Sequence, residues 1–281
     1  MQNYEIKVDV YTLCWNEMKV LPFVVDYWKK FARKVYVYDN GSDDGSIEYL
    51  KKFDWIEVRK YKTNGFNDVE NKKIKNTVWQ GSDADFVVVC DLDECLYCDN
   101  IIEKLKQLKE EEVTLVKPRW FEAVGTKFPK HKDGVLINEL PDMKFCEVNT
   151  RMYPKCTLFN PKAIKKMNFT PGAHRCAPTG KIKWYKGSDM FTIHLKNLSL
   201  DYLMKRYRTL NKRLSVTNKK YRFGIQYAFE DNKIIDGYNK FKNKALPFEE
   251  AKKKKVVPKT QAKPRVQPKP TRKIMVRDFI Y

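Results

Sequence analysis

Over its first ninety residues the chain alternates strand-like and helix-like patterns, and this limits the fold more than any other feature. The stretch 6-IKVDVYTLC-14 reads as a buried strand, and 18-MKVLPFVVDYWKKFA-32 spaces its apolar residues as a helix does. Strand 34-KVYVYDN-40, helix 46-SIEYLKKF-53 and strand 55-WIEVRKY-61 follow. Next comes helix 67-NDVENKKIKNTVWQG-81, started by an Asn or Asp cap and stopped by Gly81, and then strand 85-DFVVVCDLD-93. Strands separated by single helices imply right-handed βαβ crossovers, and hence an α/β fold with a mostly parallel sheet flanked by helices. Ligands bind such sheets at the carboxyl ends of the strands. The unexpected polar residues gather at those ends: Asn16 and Glu17, Asp39 to Gly41, and Asp91 to Glu94.

The rest of the chain is less regular. The pattern predicts a helix at 100–112, a strand at 113–122, a functional loop over 125–150, strands at 155–164 and 190–197, and a helix at 199–213 capped by Ser199. The net charge is +21, but from Lys252 to Lys273 there are ten Lys or Arg, four Pro and no acid. That composition predicts an extended tail suited to anionic membranes, nucleic acid or acidic glycans. The start, MQNYEIKVDV, has no signal-peptide pattern, and no apolar run approaches the ~18 residues of a membrane span. A cytoplasmic, soluble protein is expected, within a host cell if its origin is viral. The seven cysteines include one CxxC, Cys95 and Cys98, with no second pair to complete a zinc set, so reduced thiols are expected.

Two segments carry the chemistry. In 38-YDNGSDDGS-46, Gly41 and Gly45 permit a tight turn, and Asp39 suits hydrogen bonds from a base or ribose, although an ordinary polar loop reads the same way. No dinucleotide-fold fingerprint and no P-loop is present. In 91-DLDE-94, Asp91 and Asp93 sit at i and i+2 on one strand and point the same way, so both reach one divalent ion. A solvated strand end is the plainer alternative. Like charges this close need a cation or a hydrogen-bond network. His194, in the apolar strand 190-MFTIHL-195, offers a third ligand, and Lys196 a charge for a diphosphate. His174, in the loop 171-PGAHRC-176, is able to face the same cleft.

Taken in order, 12-TLCWNE-17, 36-YVYDNGSDDGS-46, 80-QGSDADFVVVCDLDE-94 and 194-HLKNLS-199 resemble GT-A-fold (Rossmann-like), family-2-like glycosyltransferases with a DxDE motif. The lysine-rich style and the Pro-Lys tail are also similar to glycosyltransferases of chloroviruses, the xylosyltransferases among them. The resemblance covers roughly residues 5–213. It implies a transferase domain over 1–215, with a nucleotide-sugar half at about 1–100 and an acceptor half at about 101–215. A helical extension over 216–250 and the basic tail over 251–281 lie beyond it. It further implies a UDP-sugar donor, UDP-xylose first, a glycan or glycoprotein acceptor, and a Mn²⁺ or Mg²⁺ ion. Matching positions assign Thr12, Asn16, Asp39, Asn40, Gly41, Asp91, Leu92 and Lys196 to the nucleotide-sugar, and Asp93, Asp91 and His194 to the metal.

Inversion at the anomeric carbon calls for a carboxylate base on the acceptor hydroxyl. Asp189, Asp142 and Glu122 are the candidates, with Asp189 first; the Glu-Asp pair and QxxRW helix of many relatives are absent, and only 205-KRYR-208 is vaguely similar. Trp120, Phe121, Trp184 and Tyr185 suit stacking on sugars. Three other readings each fit part of the pattern. A phosphatase of the haloacid-dehalogenase type usually carries DxD on its first strand. A nucleotidyltransferase needs a glycine-rich basic turn after strand one. A nucleic-acid-binding protein accounts for the charge and the aromatics but not for acids gathered at strand ends.

Overall fold

The computed structural model describes residues 6–148 and 155–254. β1 (Val8–Cys14), α1 (Leu21–Trp28), β2 (Lys34–Asp39), α2 (Ser46–Leu50), β3 (Ile56–Lys60), α3 (Asp68–Thr77) and β4 (Phe86–Asp91) follow the expected alternation. β3, β2, β1 and β4 pair in parallel in that spatial order. Both faces of this sheet are covered, as a continuous apolar run in a parallel strand requires. Phe86, Val88 and Cys90 turn to one core with α1, whereas Val87 and Val89 turn to a second with Trp79 and Phe159. The period of two along β4 therefore serves two cores.

Asp91 ends β4, Leu92 and Asp93 make a turn, and Glu94 begins β5 (Glu94–Tyr97). β5 leaves the first sheet and joins a second one. After α4 (Ile101–Glu110), the region read as one strand at 113–122 divides into β6 (Leu115–Val116) and β7 (Arg119–Val124). The expected loop over 125–150 contains β8 (Lys144–Val148), and the 155–164 region becomes β9 (Leu158–Phe159) and the start of β10 (Ile164–Lys166). β9 pairs antiparallel with β4 and β6, completing the six-stranded sheet, and β10 pairs with β11 (Thr179–Gly180). β12 (Phe191–Asn197) lies between β5 and β7, with β8 at the far edge.

Ser199 caps α5 (Leu200–Arg213), its side chain accepting from the Tyr202 N–H. α6 (Val216–Tyr221), α7 (Asp231–Lys242) and α8 (Phe248–Lys253) follow. The boundary drawn at 250/251 falls inside α8. Phe248 lies among the rings of Tyr97, Phe121, Phe145 and Phe191 at 4.9–5.9 Å, and Ala251 is buried. Tail-like composition, which starts at Lys252, therefore overlaps the last turn of a packed helix, and residues 255–281 lie outside the described residues. Among the described residues, no helix is long and apolar enough to cross a membrane. All seven cysteines are free; Cys95 and Cys98 are buried in the core, which removes the CxxC as a metal site.

Candidate active site

A cleft of about 390 Å³ opens at the carboxyl ends of β1, β2, β3 and β4. Its walls include Trp15, Asn40, Tyr61, Asp91, Leu92, Asp93, Glu94, Glu122, His174, His194, Lys196 and Arg206. Sheet register explains how residues far apart in sequence meet there. In the second sheet His194 lies directly opposite Glu94 of β5 on one side and Glu122 of β7 on the other. Register neighbours share a face, so one row presents carboxylate, imidazole and carboxylate. Lys196, two residues on along β12, also lines the cleft.

The imidazole of His194 is held at both nitrogens. Nδ1 lies 2.9 Å from Glu122 Oε1, and Nε2 lies 3.4 Å from Asp93 Oδ2. Burial lowers its basicity, but the Glu122 and Asp93 charges outweigh that and push its pKa up to about 9. Glu122 has no oxygen to spare. Oε1 also accepts from the Trp120 indole at 3.1 Å, and Oε2 accepts from the Asn197 amide at 2.7 Å. Burial raises the Glu122 pKa, yet His194 and Lys196 hold it at about 2. Both Glu122 oxygens are thus taken up by Trp120, His194 and Asn197.

Asp91 differs from Asp93, two residues away. Lys75 of α3 and Lys155, which precedes β9, each donate to the Asp91 carboxylate, and Lys155 also donates to Glu94. Both lysines are about 5% exposed. Burial opposes the ionised state of Asp91, and the two ammoniums overcome it and hold its pKa well below the usual carboxylate range. Asp91 thus has its cations within the protein, and both of its carboxylate oxygens accept from lysines. Asp93 instead receives Arg206 at 3.2 Å, while Arg206 forks onto Glu17 at 2.6 and 2.7 Å.

Among the described residues, Asp93, Glu94 and His194 form the grouping whose ligand atoms all lie within 4.8 Å of one another. One imidazole nitrogen and carboxylate oxygens suit Mn²⁺ or Mg²⁺. Glu122 on Nδ1 leaves Nε2 aimed at Asp93, as a carboxylate behind a metal-binding histidine does. The donor set fits a divalent ion, with Glu94 drawn partly to Lys155.

Several other expected residues lie elsewhere. Asp189 bonds Tyr185 and pairs with Lys104 at 2.8 Å, half exposed and outside the cleft lining. It precedes β12 at the end opposite His194; five extended residues span about 16 Å. Asp142 is exposed in the turn before β8 and is also outside the lining. Thr12 is buried between its β2 and β4 neighbours, and the next residues, Leu13 to Trp15, reach the cleft instead. Asp39 accepts from the Gly41 and Ser42 N–H groups and the Ser42 hydroxyl, so its carboxylate shapes its own turn. Gly41, at φ +80°, makes that turn possible and does not line the cleft. Asn16 exchanges bonds of 2.7 and 2.9 Å with Asp43 and ties two loops together. Asn40 does reach the cleft, accepting from Thr63 at 2.9 Å and from Arg213, whose guanidinium covers the Trp15 ring at 3.9 Å. Of the aromatics singled out, Trp120 lines the cleft; Phe121 is in the core, and Trp184 and Tyr185 are outside the lining.

No protein-family model and no curated protein matches this chain. Solved structures similar to it include S. aureus TarS 1-349, at TM-score 0.43 and 12% identity, covering 74% of this chain and 65% of that one. TarS 1-349 in complex with UDP (TM-score 0.42, 12% identity, 74% and 65%) and with UDP-GlcNAc (0.40, 12%, 74% and 66%) are also similar. The chain thus spans about two thirds of the TarS 1-349 length.

Proposed function

We propose that this chain is a metal-dependent inverting glycosyltransferase that moves a sugar from a UDP-sugar to a hydroxyl of a glycan or glycoprotein. One observation carries the reading: the row Glu122–His194–Asp93 meets a cleft at the carboxyl ends of parallel strands that holds seven Lys or Arg against six carboxylates. Six acids without cations would repel a diphosphate; with this balance the cleft admits one. Trp15, Asn40 and Tyr61 would flank the nucleoside, and Lys196 and Arg206 would face the diphosphate. Asp93 and His194 would hold Mn²⁺ or Mg²⁺, with Glu94 in reach. When bound, the ion supplies positive charge to the departing diphosphate. Glu122 keeps the His194 ring in orientation, and Lys75 and Lys155 keep Asp91 ionised.

The phosphatase alternative is weaker, because it needs an aspartate free to attack phosphorus. Asp91 is clamped by two lysines, and Asp93 is shared between Arg206 and His194. A role for the tail at an anionic membrane or glycan remains a proposal about residues 255–281.

The reading is tested by UDP release from UDP-xylose, UDP-glucose and UDP-GlcNAc, with Mn²⁺, Mg²⁺ or EDTA. Slow, metal-dependent hydrolysis of one donor is expected, UDP-xylose being the first tried. Absence of release from all three, together with absence of UDP binding, would end the reading.

A further inference from the structure

We infer, within the transferase reading on which this rests, that Glu17 is a positioning residue: it holds the Arg206 guanidinium back from Asp93, and so makes binding of the donor's diphosphate depend on a divalent ion.

The turn that carries Glu17 is tied down by the loop 38-YDNGSDDGS-46. Three successive backbone N–H groups donate to side chains of that loop: Asn16 to the Ser42 hydroxyl at 2.9 Å, Glu17 to the Ser46 hydroxyl at 3.0 Å, and Met18 to Asp44 at 2.9 Å. The Glu17 carbonyl accepts from the Val20 and Leu21 N–H groups, both at 3.0 Å, at the entry to α1. Asn16 turns the chain at φ +55°, a conformation that a short polar side chain adopts more readily than most. The serines and acids of this loop, which read as a ligand site, thus serve to fix the backbone on either side of Glu17.

The Glu17 side chain lines the cleft and is buried. Its two oxygens accept from different nitrogens of Arg206, Oε2 from Nη1 at 2.6 Å and Oε1 from Nη2 at 2.7 Å. Among the described residues Arg206 is the cation paired with it. Two parallel bonds fix the plane of a guanidinium as well as its place. The Nη2 that serves Glu17 at 2.7 Å also reaches Asp93 Oδ2, but at 3.2 Å. His194 Nε2 meets that same oxygen at 3.4 Å. Arg206 is therefore drawn to Glu17 first and to Asp93 second.

This order decides which cation Asp93 takes. A guanidinium and a divalent ion carry charge of one sign and compete for one carboxylate. Released from Glu17, Arg206 would close onto Asp93, neutralise it and repel the ion. The same release would leave charged N–H groups to meet a phosphate directly, so a diphosphate would bind without metal. Balanced by Glu17, the guanidinium leaves charge on Asp93 for an ion, and it faces the diphosphate with its own charge offset.

The test uses the full chain at pH 8, above the value of about 7 to which burial raises the Glu17 pKa against the pull of Arg206. Mn²⁺ affinity is read by competition against a chelating dye, and UDP affinity by calorimetry, once with Mn²⁺ and once with EDTA. Glu17→Gln is expected to bind Mn²⁺ roughly tenfold more weakly than wild type. In EDTA it is expected to bind UDP about tenfold more tightly, the gain of one charged hydrogen bond. Opposite shifts are the signature, since a merely structural role would weaken both. In the double variant Glu17→Gln with Arg206→Gln, Mn²⁺ affinity should return to the wild-type value and the metal-free UDP binding should vanish. Should Glu17→Gln fail to fold in denaturant unfolding, Arg206→Gln alone carries the test. It removes the competing cation and should bind Mn²⁺ more tightly than wild type; equal or weaker binding overturns the assignment. So does a Glu17→Gln variant in which both affinities fall together or neither moves, or a double variant that fails to recover Mn²⁺. A wild type that binds UDP only with Mn²⁺ beside an unresponsive Glu17→Gln sinks this role alone. A wild type that binds no UDP, or binds it equally in EDTA, sinks the metal-dependent transferase reading first and this role with it.

Discussion

Asp91 and Asp93 stand two residues apart at the end of one strand, with opposite surroundings. Asp91 is closed in by two buried ammoniums, of which Lys155 also serves Glu94. Asp93 faces an imidazole whose far nitrogen is fixed by a second carboxylate, and its remaining neighbour is a guanidinium already forked onto Glu17. The first cluster neutralises charge permanently with lysines from α3 and the β9 approach. The second keeps a nitrogen and an oxygen converging where a divalent ion is able to replace a shared proton. Two carboxylates at DxD spacing therefore stand in different surroundings, and the elements packed around each set the difference.

If this contrast holds, substitutions should divide into those that cost activity and those that cost stability. The largest effect is expected at Asp93. Asp93→Asn should remove several kcal/mol of leaving-group stabilisation, on the order of 10³-fold in donor turnover. Steady-state UDP release reads this, and near-normal turnover would break the contrast. Lys155→Met should do the reverse, leaving the buried Glu94 without its cation and Asp91 with Lys75 alone, at a cost of about 3–5 kcal/mol in folding. Denaturant unfolding should show Lys155→Met well below Asp93→Asn; equal midpoints would mean the two clusters are alike. Glu122→Gln comes next, with roughly 10–100-fold weaker Mn²⁺ binding in the fold as it stands. Competition against a chelating dye measures it, and unchanged affinity would return Glu122 to the list of proton acceptors. The smallest effect belongs to Asn67, whose side chain accepts from Val69 and Glu70 at the start of the helix that carries Lys75. Asn67→Ala should cost about 1 kcal/mol in thermal or denaturant unfolding, with little change in Mn²⁺ affinity.

The same contrast separates what the sequence displays from what it hides. Strands β1 to β4 and their helices are legible because each apolar run is bounded by its own Gly, Asn or Asp, and parallel strands bury both faces. The Asp93–His194 meeting was readable from a strand-end acid and a histidine in an apolar strand. Lys75 was not: it sits in 67-NDVENKKIKNTVWQG-81, where a lysine reads as solvated, whereas α3 is packed against the Pro171–Ala173 turn and Lys75 is buried on Asp91. Lys155 likewise looks like an ordinary strand flank. Glu122 lines the cleft, but its hydrogen bonds from Trp120, His194 and Asn197 were not legible, because sheet register brings His194 and Asn197 to it. Asp189 was chosen for closeness in sequence to His194, but an extended strand turns five residues into the full width of the sheet. β5 was missed because three acids at a strand end suggest termination, whereas here the chain changes sheets.

In the proposed function, Asp93 and His194 hold a divalent ion against a UDP-sugar's diphosphate. Titration calorimetry of UDP into the full chain, with Mn²⁺ and then with EDTA, on wild type and Asp93→Asn, tests it most directly. Binding that needs Mn²⁺ and disappears in Asp93→Asn is expected. Binding of equal strength with EDTA, or unchanged in the variant, would contradict it and assign the diphosphate to the lysines and arginine alone.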